Sequence, residues 1–119
     1  MHILIIEDDA LVSETLAGLL SVLGHSVLTV NDGRDGVARF RAEQHTIDAV
    51  ILDMRMVPLS GKEIFMQLKS IQPDVKVFLS TGFVEDEVAE ELTKQGLTGI
   101  ILKPYQLSEL RQALSKVSA

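Results

Sequence analysis

The chain has 119 residues with no cysteine and no tryptophan. That fits one domain able to bury its own core, and it excludes disulfide scaffolds, thiol enzymes and thiolate zinc sites. A formal net charge of −6 and an aromatic content of 4% oppose non-specific attraction to nucleic acid or anionic membrane and leave no platform for stacking bases.

Five short runs rich in β-branched residues recur along the chain: Ile3–Ile6, Ser26–Val30, Ile47–Leu52, Val75–Leu79 and Gly99–Leu102. Between and after them the apolar residues take helical spacing. Leu11, Thr15, Leu16, Leu19, Leu20 and Leu23 follow the first run, and Val37 and Phe40 the second. Ile64, Phe65, Leu68 and Ile71 follow the third, Val88 and Leu92 the fourth, and Leu107, Leu110, Leu114 and Val117 the fifth. Gly24 and Gly96 stand where helices stop, and Pro73 closes the third helix. Nearly unbroken apolar strands suit a parallel sheet covered on both faces. Five βα units with right-handed crossovers therefore predict a doubly wound α/β fold with a five-stranded parallel sheet, for which the flavodoxin-like order 2-1-3-4-5 is expected and would make strands one and three neighbours. No apolar run approaches the ~20 residues that span a bilayer, and the acids at 7–9 interrupt the only early one, so a cytoplasmic location with no membrane contact is expected.

Open α/β sheets place their sites beyond the carboxyl ends of the strands. Those ends carry Glu7-Asp8-Asp9, Asn31-Asp32, Asp53, Ser80-Thr81-Gly82 and Lys103-Pro104. With strands one and three adjacent, their carboxylates crowd and repel, which calls for protons or a cation. A hard divalent ion such as Mg²⁺ accepts oxygen ligands and suits such a pocket. Lys103 adds a second positive charge. Metal and lysine together would attract a phosphoryl group, a carboxylate beside them would serve as nucleophile, and the Thr81 hydroxyl would donate to a phosphate oxygen.

At these residues the whole chain resembles the response-regulator receiver domain of two-component signalling. Glu7 and Asp8 match that family's acidic pair, Asp53 in Ile51-Leu52-Asp53-Met54-Arg55-Met56 its phospho-acceptor, Thr81-Gly82 its hydroxyl and small residue, and Lys103-Pro104 its lysine and proline. Gly61, eight positions beyond Asp53, also matches. The resemblance implies that residues 1–119 form one receiver domain without an output domain. Asp53 would accept a phosphoryl group from a sensor histidine kinase, a phosphotransfer protein or a small phosphodonor. Asp8, Asp53 and the backbone carbonyl of Arg55 would bind Mg²⁺ or Mn²⁺, with Glu7 acting through water. Thr81 would move toward the phosphate, Lys103 would pair with one of its oxygens, and the Lys103–Pro104 peptide would be cis. The domain would catalyse its own phosphorylation and dephosphorylation without turning over an external substrate. Its signal would leave through the fourth helix, fifth strand and fifth helix, by partner binding or homodimerisation.

The chain departs from the family at four positions. Val57 stands where a proline is frequent, Pro58 coming one later, and Ile100 replaces the aromatic switch residue. Arg55 and Phe83 flank the path of water to the acyl phosphate, and their bulk is expected to slow dephosphorylation.

Plainer roles compete for some of these residues. Asp9 is expected to cap a helix, and His2, His25 and His45, lacking metal spacing, to be structural or solvent-facing. The acids Glu85-Asp86-Glu87 and Glu90-Glu91 read as a solvated helix start, and Met54 and Met56 as loop packing. Arg55 stands where a haloacid-dehalogenase-like phosphatase needs a second aspartate. The acids after the first strand would repel a flavin phosphate, and no dinucleotide or P-loop glycine pattern occurs. The remaining alternative is a receiver-like docking module independent of phosphorylation.

Overall fold

The computed structural model describes residues 1–56, 59–82 and 87–117. Five strands alternate with five helices: β1 (His2–Ile6), α1 (Ala10–Val22), β2 (Ser26–Val30), α2 (Gly33–Glu43), β3 (Ala49–Asp53), α3 (Gly61–Ile71), β4 (Val77–Thr81), α4 (Glu87–Lys94), β5 (Gly99–Leu102) and α5 (Leu107–Leu114). All pairings are parallel, and the sheet order is β2-β1-β3-β4-β5. The predicted architecture is the observed one.

Burial explains the strand sequences. β3 and β4 are buried at every position, which is why they carry no alternation of apolar and polar residues. The edge strand β2 exposes Ser26 and Thr29. The sheet separates two cores. One, under α2, α3 and α4, includes Leu4, Ile6, Phe40, Val50, Leu52, Phe65, Leu79 and Leu92. The other, under α1 and α5, includes Ile3, Ile5, Leu16, Leu20, Ile51, Phe78, Ile101 and Leu110.

Local signals set the helix ends. The Asp9 side chain caps α1 by accepting from the backbone of Leu11 and Val12, and Asp32 does the same for α2 through Arg34 and Asp35. Ser60 and Glu63 form a reciprocal capping box on α3. Gly24 and Gly96 follow α1 and α4 at φ 91° and 101°, a backbone region in which a side chain is strained.

Three details correct the sequence reading. β3 and β4 begin two residues later than the apolar runs, because Ile47 and Val75 are buried outside the ladder. Both strands also run further, so Asp53, and Ser80 with Thr81, belong to the strands and do not lie beyond them. On α1, Leu11 is 73% exposed and Thr15 is exposed as well; Ser13, Leu16 and Leu20 form the buried stripe. Leu107 likewise faces solvent at the start of α5. Among the described residues, no helix is long and apolar enough to cross a membrane.

Candidate functional site

The topology brings the carboxyl ends of β1, β3, β4 and β5 to one lip. Glu7 leaves β1 with its N–H still donating to the Val30 carbonyl at 3.0 Å. The Asn31 amide donates back to the Glu7 carbonyl at 2.8 Å and to Ser13 Oγ at 3.1 Å, tying the ends of β1 and β2 to α1. Asp53 is register partner of Ser80, and the next residue, Met54, donates its N–H to the Ser80 carbonyl at 3.1 Å. Lys103 follows β5 and is anchored by its N–H to the Thr81 carbonyl at 2.8 Å. The Lys103–Pro104 peptide is cis.

Gly61 has a steric reason to be there. Its N–H donates to the Met54 carbonyl at 3.0 Å. A Cβ at this position would stand 2.8 Å from Met54 Cα, 2.9 Å from the Met54 carbonyl oxygen and 3.0 Å from that of Asp53. Only a glycine lets α3 start directly against the backbone that leaves Asp53.

The side chains form a charge cluster. Lys103 Nζ donates to Glu7 Oε1 at 3.1 Å and to Asp53 Oδ1 at 3.2 Å. Glu7 is 3% exposed and Asp53 7%, whereas Asp8 is exposed. Carboxylate oxygens of Glu7, Asp8 and Asp53 lie within 4.8 Å of one another. Burial, and then a hydrogen bond shared with Asp53, push Glu7 from 4.5 up to about 7, against the pull of Lys103. Burial alone would lower Lys103, but hydrogen bonds and charge from Glu7 and Asp53 outweigh it and raise its pKa, so the ammonium stays charged. Three acids thus crowd around the Lys103 ammonium. An all-oxygen donor set of this kind fits a hard divalent cation such as Mg²⁺ or Mn²⁺.

Asp53, Arg55, Thr81 and Lys103 line one cleft of about 230 Å³. Arg55 is exposed at its mouth, while Thr81 is buried. Ile100 lies elsewhere: it pairs in register with Leu79 and packs, half-buried, against the α2–α4 core. The cluster also excludes several acids and all three histidines. Asp9 is a cap, His2 bonds Ser26, His25 meets the N-terminal amine, and His45 is exposed. Met56 is buried and Met54 packs beside it. Glu87 and Glu90 are exposed on α4, and Glu91 pairs with Lys62 of α3 at 2.9 Å. The departures at Val57, Pro58 and Phe83, and the acids Glu85 and Asp86, lie outside the described residues.

Two features of the lip have no counterpart in the sequence reading. One is the Asn31 amide that fixes the Glu7 carbonyl. The other is a 2.7 Å hydrogen bond between Ser80 Oγ and the hydroxyl of Tyr105, the chain's single tyrosine. The available signal is a serine directly after the apolar run of β4, since a buried hydroxyl needs a partner.

Comparison with known proteins identifies the family and the fold. The family model described as response regulator receiver domain matches residues 3–115. The transcriptional regulatory protein GlrR of Escherichia coli is 32% identical over 95% of this chain and 25% of its own length. The sensor histidine kinase AruS of Pseudomonas aeruginosa is 31% identical over 98% of this chain and 12% of its own length. The chain thus spans about a quarter or less of the curated relatives cited here. Among solved structures, a response regulator receiver domain protein from Clostridium thermocellum superposes with a TM-score of 0.92 at 31% identity, covering 98% of this chain and 92% of that one. The receiver domain of a Pseudomonas aeruginosa sensor histidine kinase, with a magnesium ion coordinated in its active site cleft, shares the fold at a TM-score of 0.84 and 24% identity, covering 99% and 98% of the two chains.

Proposed function

The chain belongs to the response-regulator receiver domain family of two-component signalling, and from that premise we propose that Asp53 is its phospho-acceptor. The observation that carries this reading is the placement of Asp53. Its carboxylate ends a fully buried strand, opens on the cleft and lies 3.2 Å from the Lys103 ammonium. A carboxylate so held is oriented for attack and has a cation beside it to meet the charge that builds on the phosphoryl oxygens.

In the forward step an Asp53 oxygen forms a bond to phosphorus as the bond to the donor breaks, from a histidine nitrogen of a kinase or phosphotransfer protein or from the oxygen of a small acyl phosphate. The donor leaves with the bonding electron pair. Lys103 shifts from its carboxylate partners to a phosphoryl oxygen, and Thr81, across the cleft, donates its hydroxyl to another. Asp8, Asp53 and the Arg55 carbonyl would hold Mg²⁺ or Mn²⁺, with Glu7 reached through water, and the ion would supply further positive charge to the phosphoryl oxygens. In a separate hydrolytic step water attacks the phosphorus of the acyl phosphate, the bond to the Asp53 oxygen breaks, and inorganic phosphate and the Asp53 carboxylate are released. The chain therefore turns over its own modification and no separate metabolite.

Because the chain spans only part of its longer relatives, its output is a further part of the proposal. A kinase or phosphotransfer protein is the upstream partner in the cytoplasm, and residues 1–119 act as one receiver unit. The signal leaves through α4, β5 and α5 to a partner or a second copy, with Thr81 and Ile100 as the moving parts. Ile100 favours a second reading, since an aliphatic residue in place of the switch aromatic suits a docking module that does not use phosphate.

Incubation with acetyl phosphate, with and without Mg²⁺, followed by intact-mass spectrometry separates the two. A Mg²⁺-dependent gain of one phosphoryl group, absent from Asp53→Asn, is expected. No gain from acetyl phosphate or from phosphohistidine donors, together with no Mg²⁺ binding, would establish the docking module instead.

A further inference from the structure

We propose that Tyr105 is a positioning residue for phosphoryl transfer, its hydroxyl bond to Ser80 holding the lysine loop so that Lys103 stands beside Asp53. The inference rests on the reading of Asp53 as acceptor and deepens it.

The loop has few other anchors. Lys103 is held from behind by its N–H bond to the Thr81 carbonyl. Ahead of it, Pro104 has no N–H to give. Gln106, the N-cap of α5, makes no side-chain capping bond. Between these two stands Tyr105, whose hydroxyl meets Ser80 Oγ at 2.7 Å. The lysine side chain is flexible and 31% exposed. Its ammonium is held at the far end by Glu7 and Asp53, and the position of its backbone sets how well it reaches both.

Ser80 links that loop to the acceptor. It is the register partner of Asp53, and its carbonyl takes the N–H of Met54, the residue after the acceptor. Its hydroxyl takes Tyr105, the residue two beyond the lysine. One buried residue thus ties the nucleophile's strand and the cation's loop to a common point. Burial raises the Tyr105 pKa, with the Ser80 bond acting in the opposite direction, so the phenol keeps its proton for this hydrogen bond. Glu7, Asp53 and Lys103 all lie within electrostatic reach of that hydroxyl. The ring packs against the α1–α5 core, a contact that phenylalanine would keep.

The test uses Tyr105→Phe, Ser80→Ala and the double variant, with acetyl phosphate as donor and the urea midpoint and Mg²⁺ affinity measured alongside. Each single variant is expected to label Asp53 roughly tenfold more slowly, the scale set by small losses of alignment. Mg²⁺ affinity should stay within about twofold, because no carboxylate is altered. Tyr105→Phe strands the buried Ser80 hydroxyl and Ser80→Ala leaves the half-buried Tyr105 hydroxyl without its partner, whereas the double variant removes both, so stability should recover in the double. The labelling rate should not. A double variant that labels at the wild-type rate, or rates that simply follow stability, would overturn the inference while leaving Asp53 as acceptor. A wild-type chain that takes no phosphoryl group at Asp53 would overturn both.

Discussion

The two faces of the sheet carry nearly the same hydrocarbon at depth but end differently. On the face under α2, α3 and α4, the strands present Leu4 and Ile6, Val50 and Leu52, Val77 and Leu79. On the face under α1 and α5 they present Ile3 and Ile5, Ile51, Phe78 and Ile101. Strand side chains alternate between faces, so the next residue on a face is two positions on. Two beyond Ile5 is Glu7, two beyond Ile51 is Asp53, two beyond Phe78 is Ser80, and two beyond Ile101 is Lys103. The charge cluster and its hydroxyl tie are thus the last row of the α1–α5 face. Thr81, two beyond Leu79, belongs to the other face, and the cleft lies where the two rows meet at the sheet's lip. The α1–α5 face exchanges cohesion for charge in its final row at Glu7, Asp53 and Lys103, whereas the other face ends in Asp8, two beyond Ile6, and in Thr81.

Deep substitutions should therefore cost stability and spare chemistry. Phe40 on α2 is fully buried in the α2–α4 core. Phe40→Ala should lower unfolding free energy by about 3–5 kcal/mol in urea titrations. Under conditions where the variant stays folded, its rate of labelling by acetyl phosphate should change less than about twofold. A rate that fell with the stability would mean that the α2–α4 core and the acidic row are not separable.

The final row should show the opposite pattern, a pH dependence removed by metal. Glu7 is raised from 4.5 to about 7, first by burial and then by its hydrogen bond with Asp53. Between those values the folded chain holds a proton that the unfolded chain has released. In chelator, the stability from this group is complete below pH 4.5 and lost as pH rises through 7, a swing of at most about 3 kcal/mol. Saturating Mg²⁺ should flatten this decline by supplying the positive charge that the proton otherwise provides. Urea midpoints at pH 5 and pH 8, with and without Mg²⁺, measure it; a midpoint in chelator that rises between the two values would contradict the geometry.

Much of this was legible in the chain, for specific reasons. Hydrocarbon runs of strand length interrupted by Glu7, Asp53 and Lys103 mark both the strands and the row where they stop being hydrocarbon. Gly24, Gly96 and Asp9 mark helix ends because each does something locally that few residues do. What stayed hidden is either marginal or non-local. Ile47 and Val75 are apolar because they are buried, not because they join the ladder, so apolarity misplaces the starts of β3 and β4. Leu11 fits the helical period and still faces solvent. Ser80 and Tyr105 are 25 residues apart, and no local pattern pairs two hydroxyls at that distance.

The smallest effect tests the charge count in the final row. Around Lys103 two buried carboxylates share one ammonium, and Asp8 adds a third acid at the rim. Asp53→Asn keeps an oxygen to accept from Lys103 but removes one negative charge. Glu7 then has the lysine largely to itself and loses the repulsion that Asp53 exerted on it. In chelator at pH 8 the variant should be more stable than the wild type by about 1 kcal/mol, even though it has lost an ion pair, because the pair removed was the surplus one. Burial of Glu7 persists, so a weaker decline with pH should remain. The gain from Mg²⁺ should shrink in the same variant, since one of the ion's oxygen donors has lost its charge. If Asp53→Asn were less stable than the wild type in chelator at pH 8, Lys103 would be compensating both carboxylates fully, and the acidic row would have no charge deficit for a metal to fill.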